Sequence, residues 1–221
     1  MEYKIVRSKR KTLSVSVSGG EVTVKAPLDK PVEQIEAFLT KKSNWITKKL
    51  AEQNKRNDVL RDVLDGKSVM YHGEFCPVIV TPEVKRTAFK DKVLYLPEKC
   101  NDKAELFSAV AAWGKRIAKT ELNTALHNLS ERIGLKYTSF ALTNAKTKWG
   151  SCDGKCNIML NWRLIMLENE VVAYVIVHEL AHTVHHDHSA AFWRTVQRFL
   201  PTYKNIRKRL KEYSVLTTMY R

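Results

Sequence analysis

The segment His178-Glu179-Leu180-Ala181-His182 sets two imidazoles four residues apart, with a carboxylate directly after the first. On a helix, residues four apart lie one above the other on one face, so both rings can offer nitrogen to a single ion. Glu179 is one position round, where its carboxylate can receive a proton from water activated by that ion. The apolar run Tyr174 to Val177 leads into the motif, giving it a helical, packed context.

A catalytic zinc site uses three protein ligands and keeps one position for water or substrate. His188 is the expected third ligand, with His185 and His186 as competitors. On one straight helix His188 would stand about 15 Å along the axis from His178, beyond a shared ion. The backbone must therefore leave the helix near His185 to Asp187, and Ser189 is placed to cap a new helix from Ala190. His185 and His186 are otherwise expected to support the site through hydrogen bonds. Zinc suits three imidazoles, although Co2+, Fe2+ or Ni2+ can share such ligands.

The metal helix is expected to run from about Asn169 to His185 or His186. Behind it, apolar positions from Leu106 to Ile133 advance by three to five residues and predict a long helix stopped by Gly134. Gly114 within that helix permits close packing. Ala145 to Cys156 reads as an extended edge and turn, followed by a strand from Ile158 to Trp162. In the first hundred residues, alternation in Tyr3, Ile5, Leu13, Val15, Val17, Val22 and Val24 predicts two or three antiparallel strands around Gly19-Gly20. A helix from Pro31 to about Asn54 follows, with Phe38, Leu39, Trp45 and Ile46 on its packing side, and residues 67–96 return to strands.

The chain has 221 residues, 44% hydrophobic and 28% charged, enough for one substantial core and a smaller lobe. Its longest aliphatic and aromatic run, Val171 to Val177, is far short of the about 20 residues of a membrane span. With no apolar targeting stretch at its start, a soluble cytoplasmic protein is expected. Four cysteines in such a chain read as reduced thiols. Around the turn signal Asp153-Gly154, a two-residue loop would set Ser151 opposite Cys156; a three-residue loop would set Cys152 opposite Cys156.

The formal net charge is +15, and it is concentrated at the ends. Residues 1–60 carry 13 Lys and Arg against 7 Asp and Glu, and residues 194–221 carry 8 against 1. Such a field can draw a nucleotide or nucleic acid to the basic surface, or simply keep the protein solvated. The basic residues of 204–211 are expected to face solvent. The segment Ala145 to Ser151, with Lys146, Lys148, Trp149, Gly150 and Ser151, is expected to meet substrate by pairing with an extended peptide. Lys146, Lys148 and Arg163 would instead pair with phosphate oxygens if the substrate were a nucleotide.

These residues closely resemble the YgjP-like metal-dependent hydrolase family, within the zincin-like set that includes SprT-like and WLM domains. The resemblance is carried by Arg7 to Thr12, Trp149-Gly150-Ser151-Cys152, Tyr174 to His182, and His188-Ser189 with Phe192-Trp193. It implies that His178, His182 and His188 bind zinc and that Glu179 is the catalytic base. Lys148 stands where the family often has arginine, which removes a planar bidentate fork. The histidine spacing is also similar to that of metzincins, but their intervening glycine is replaced here by His185.

The resemblance further implies an α+β fold: a zincin-like catalytic domain over residues 101–221 and an N-terminal β-rich accessory region over residues 1–100. A metallopeptidase acting on a peptide or protein is the expected function. The alternatives are a nucleoside triphosphate pyrophosphohydrolase using the same zinc site, and a basic nucleic-acid-associated module in which the metal is structural.

Overall fold

A computed structural model describes residues 2–18 and 20–220, so Gly19 of the expected Gly19-Gly20 turn lies outside the described residues. The fold mixes helix and sheet, as the α+β reading expects. Packing divides the chain into two compact units, Met1–Arg61 and Asp62–Arg221.

In the smaller unit, β1 (Lys4–Ser8), β2 (Ser14–Ser18) and β3 (Glu21–Pro27) form a sheet in the order β1-β3-β2. The alternation in the sequence marks the strands but not their direction. β2 pairs antiparallel to β3, whereas β1 pairs parallel to it, with Lys4 opposite Thr23. Arg7 secures that arrangement by donating from Nη1 to the carbonyls of Pro27, Leu28 and Lys30. Val22, Val24 and Ala26 pack with Ile35, Leu39 and Ile46 from α1 (Val32–Lys41) and α2 (Ser43–Val59). The expected single helix is interrupted at Lys42, although Ile46 beyond the break still joins the core. Trp45, expected on the packing side, is 42% exposed.

A single helical turn, α3 (Arg61–Leu64), is followed by β4 (Ser68–Tyr71), β5 (Glu74–Thr81), β6 (Ala88–Lys90) and β7 (Val93–Pro97). These make a sheet in the order β4-β5-β7-β6 that packs with the larger unit, so the boundary between compact units falls at 61/62 and not at 100/101. The reason is specific. Backbone donors at the β4–β5 turn find acceptors in the 3₁₀ turn Trp162–Met166: His72 N donates to Ile165 O at 2.8 Å and Gly73 N to Met166 O at 2.9 Å. His72 also meets Asn169 and Glu121, and Tyr71 Oη donates to Glu121 Oε1 at 2.5 Å.

The central scaffold is α4 (Lys103–Ile133). Asp102 caps it by accepting from Ala104 N and Glu105 N, and Gly134 ends it in the left-handed region at φ 73°. Trp162 lies directly on Gly114, where any added Cβ would overlap the indole. Against α4 stands a second sheet, β8 (Ser139–Thr143), β9 (Gly150–Cys152) and β10 (Asn157–Asn161), in the order β8-β10-β9. β9 is thus an edge strand, antiparallel to β10.

The turn between them follows neither expected register. Asp153 N donates to Asn157 O and Cys156 N to Asp153 O, with Cys156 at φ 59°, so residues 154–156 form the loop. Cys152 stands opposite Ile158, and all four cysteines are free thiols. The remaining helices are α5 (Asn169–Ala181), α6 (Ala190–Phe199) and α7 (Tyr203–Glu212), followed by a 3₁₀ turn, Ser214–Thr218. Among the described residues, no helix is long and apolar enough to cross a membrane.

Candidate metal centre

α5 is shorter than its sequence pattern predicts, and that shortening builds the site. The helix ends with His182 as its C-cap, and Thr183 N and Val184 N turn back onto the carbonyls of Leu180 and Ala181. Asp187 Oδ1 then accepts from Ser189 N at 3.1 Å, while Ser189 Oγ caps α6 through Phe192 N. The reversal brings His188 back over the first histidine, with His188 Nε2 only 3.1 Å from His178 Nε2.

The structure gathers His178, His182 and His188, with one donor atom of each within 4.8 Å of the others. Neither His185 nor His186 joins them. His185 instead supports the group: its carbonyl lies 2.9 Å from His182 Nδ1, and its own Nε2 is 3.0 Å from Thr195 Oγ1. The carbonyl can only accept, so His182 carries its proton on Nδ1 and presents a lone pair at Nε2. His186 is exposed.

The donor set fits a transition metal. Burial above all, then His182, His188 and Arg207, pushes the His178 imidazole down to about 3, so its ring is neutral. His182 is also lowered, first by burial and then by neighbouring histidines, against the raising effects of the His185 carbonyl and Asp187. Among the described residues, His178 Nδ1 is buried without a hydrogen-bond partner, so nothing on that side fixes its tautomer. Three imidazoles with converging nitrogens are the ligand chemistry of Zn2+ and related divalent ions.

Glu179 is 5% exposed, and burial pushes its carboxyl up to about 8 against the lowering influence of Lys148. Its close neighbour is Gly150 on β9, where an added Cβ would meet Glu179 Oε1 at 2.5 Å. At the glycine of the Trp-Gly-Ser-Cys segment, any larger residue would oblige β9 or the Glu179 side chain to shift.

Phe192 faces all three imidazoles at centroid distances of 4.5 to 4.8 Å. Trp193 stacks on His188 and also on Tyr203, and the Arg207 guanidinium lies 4.8 Å over the Trp193 ring. The open side leads into a cleft of about 420 Å³ whose walls include Lys148, Trp149, Gly150, Tyr174, Arg207 and Lys211. Arg207 and Lys211 are exposed, as expected of α7's outer side, and they also line this cleft. The 3.6-residue pattern identifies the outer side of α7, but only packing against α5 shows that part of this side overlooks the histidines.

Other expected contacts are placed differently. Arg163 is 1% exposed, and its guanidinium donates to Asn144 Oδ1 and to the carbonyls of Met219 and Tyr220 while stacking on Trp162. It anchors the chain end and is out of substrate reach, because its charge is already surrounded by acceptors. Lys146 is exposed but outside the cleft walls, and its carbonyl accepts from Thr217 Oγ1. The extended segment is also shorter than expected. Asn161 takes up the carbonyls of Ala145, Lys148 and Trp149, leaving residues 150–152 as the β edge. Ser151 Oγ is buried without a partner among the described residues.

A crystal structure of the metallopeptidase zymogen of Pyrococcus abyssi abylysin is 26% identical over 40% of this chain and 90% of that chain, with a TM-score of 0.37. No curated protein matches. The YgjP-like, metallopeptidase domain description matches residues 11–213, which take in β2, β3 and the helices of the smaller unit, β9, the histidine cluster and α7. With nearly its whole length so matched, the chain belongs to the YgjP-like family of metallopeptidase domains.

Proposed function

We propose that the protein is a zinc-dependent metallopeptidase in which His178, His182 and His188 hold the ion and Glu179 is the general base. The observation that carries this reading is the convergence of the three imidazoles beside a buried carboxylate at the head of an open cleft. When bound, zinc supplies Lewis acidity, bringing the pKa of a coordinated water from about 15.7 toward 7 and polarising a carbonyl.

The protein's own groups do the remainder. Glu179 takes the proton of the attacking water and delivers it to the departing amine nitrogen. Burial gives it a proton affinity closer to neutrality than an exposed carboxylate has, which suits a group that must both accept and release. Gly150 leaves the space this carboxylate occupies, and the His185 carbonyl holds His182 in its ligating tautomer. The β9 edge offers backbone groups unused by β10, so an extended peptide can align there beside Glu179.

The test is a metal-content measurement on the untagged protein, followed by peptide cleavage with wild type and Glu179→Gln. Cleavage that needs the metal and Glu179 supports the reading; metal-replete wild type that cleaves no extended peptide rejects it.

A further inference from the structure

The cleft beside the histidines is positively charged in a way that peptide-bond hydrolysis alone does not require. Its walls carry Lys148 from the loop before β9, and Arg207 and Lys211 from α7. The acidic residue on those walls is Glu179, which the proposed reaction already uses. Among the described residues, none of the three cations is paired with a carboxylate, whereas Arg209 of the same helix is held by Glu170 at 2.5 Å. Arg207 and Lys211 are also four residues apart on one helix, where like charges weaken the helix. They form a local electrostatic cost that an anion in the cleft would relieve.

Arg207 is prepared for such an anion. Its guanidinium lies over Trp193, which also stacks on His188, so one indole separates it from the ligand cluster. The guanidinium is held over the indole by a cation–π contact, and its N–H groups can pair with a planar, two-oxygen partner. Trp149, Tyr174, Val175 and Leu210 add apolar wall around these charges. Such walls suit the hydrocarbon part of a peptide, while the three cations themselves are exposed and reachable from solvent.

We propose that Lys148, Arg207 and Lys211 form a carboxylate-recognition subsite that selects peptides bearing an acidic side chain or a free C-terminal carboxylate next to the cleaved bond. This rests on the metallopeptidase reading for the identity of the substrate, but the anion preference is measurable without turnover.

The experiment titrates zinc-loaded Glu179→Gln protein with matched peptides by calorimetry. One pair differs as Glu against Gln, a second as free C-terminus against C-terminal amide, and inorganic pyrophosphate is a separate arm. The carboxylate member of at least one pair should bind about tenfold more tightly, the scale of one charge-assisted hydrogen bond. Which pair shows the preference identifies the source of the carboxylate. Adding Lys211→Gln or Arg207→Gln should bring the ratio toward one, while adding Arg209→Gln should leave it intact; circular dichroism confirms folding. Lys211→Gln keeps the test decisive if loss of the Arg207–Trp193 stack disturbs the fold. Equal binding within both pairs overturns the subsite, as does pyrophosphate binding more tightly than every carboxylate peptide. A carboxylate preference in binding, with no peptide cleaved by the wild type, would overturn the metallopeptidase reading and leave the subsite standing.

Discussion

His188 lies ten residues beyond His178, yet their Nε2 atoms are 3.1 Å apart. A helix continued through His188 would separate them, so the early end of α5 is what makes a three-imidazole site. The Asp187 and Ser189 hydrogen bonds stabilise the reversal.

Removal of His188 should therefore be far more damaging to metal binding than removal of His185. His188→Ala is expected to lower zinc affinity by on the order of 100-fold or more, since a ligand is lost. His185 assists through its backbone carbonyl, which His185→Ala retains, so its loss should be within about tenfold. Competition with a chromophoric chelator measures both.

Glu179→Gln should reduce peptide turnover by roughly 100-fold to 10,000-fold while retaining bound zinc, because the proton acceptor is removed and the ligands remain. Retained turnover with bound zinc would remove Glu179 from the base role.

The same substitution should change stability with pH in the metal-free protein. Burial raises the folded-state Glu179 carboxyl from 4.5 to about 8, so the stability it contributes below pH 4.5 is lost as pH rises through 8. Gln does not ionise. Glu179→Gln should thus gain stability over wild type between pH 4.5 and 8, by on the order of a few kcal/mol at the upper end. Urea unfolding at pH 4.5 and 8 reads this difference directly.

Gly150→Ala should lower activity without touching a ligand. Its Cβ would meet Glu179 Oε1 at 2.5 Å, so either β9 or the carboxylate must move. A stability loss of about 1–3 kcal/mol is expected from overpacking, with a fall in kcat at unchanged zinc content. Normal kcat in a fully metallated Gly150→Ala enzyme would show that this approach does not position the base.

Arg163→Met should chiefly affect stability. The buried guanidinium donates to Asn144 Oδ1 and to the carbonyls of Met219 and Tyr220; removing it takes its hydrogen bonds from both carbonyls, while Asn144 Oδ1 keeps the Trp162 Nε1 donor. A loss of about 3 kcal/mol or more is expected, with kcat/KM retained below the melting transition. A selective rise in KM without loss of Tm would restore a substrate role to this residue.

Local chemistry made much of the scaffold legible from sequence. The 3.6-residue pattern predicts α4, Gly134 supplies its left-handed stop, and Ser189 marks the start of α6 because capping depends on neighbours in the chain. The two histidines and Glu179 are legible for the same reason: one helical turn determines their spacing. His188 required a break in that helix; the turn-forming residues pointed to His185–Asp187, whereas the helix ends earlier, at Ala181 with His182 as its cap.

What the sequence by itself determined was the set of candidate ligands and the candidate base, and the elements carrying them. Tertiary structure decided their surroundings: the parallel pairing of β1 with β3, the 61/62 division, the burial of Arg163 and the cleft that Arg207 and Lys211 share with His178 and His188. Strand direction, charge burial and the neighbour across a cleft depend on residues distant in the chain. No short-range periodicity contains that information, because the partner that decides each case arrives only when the chain packs.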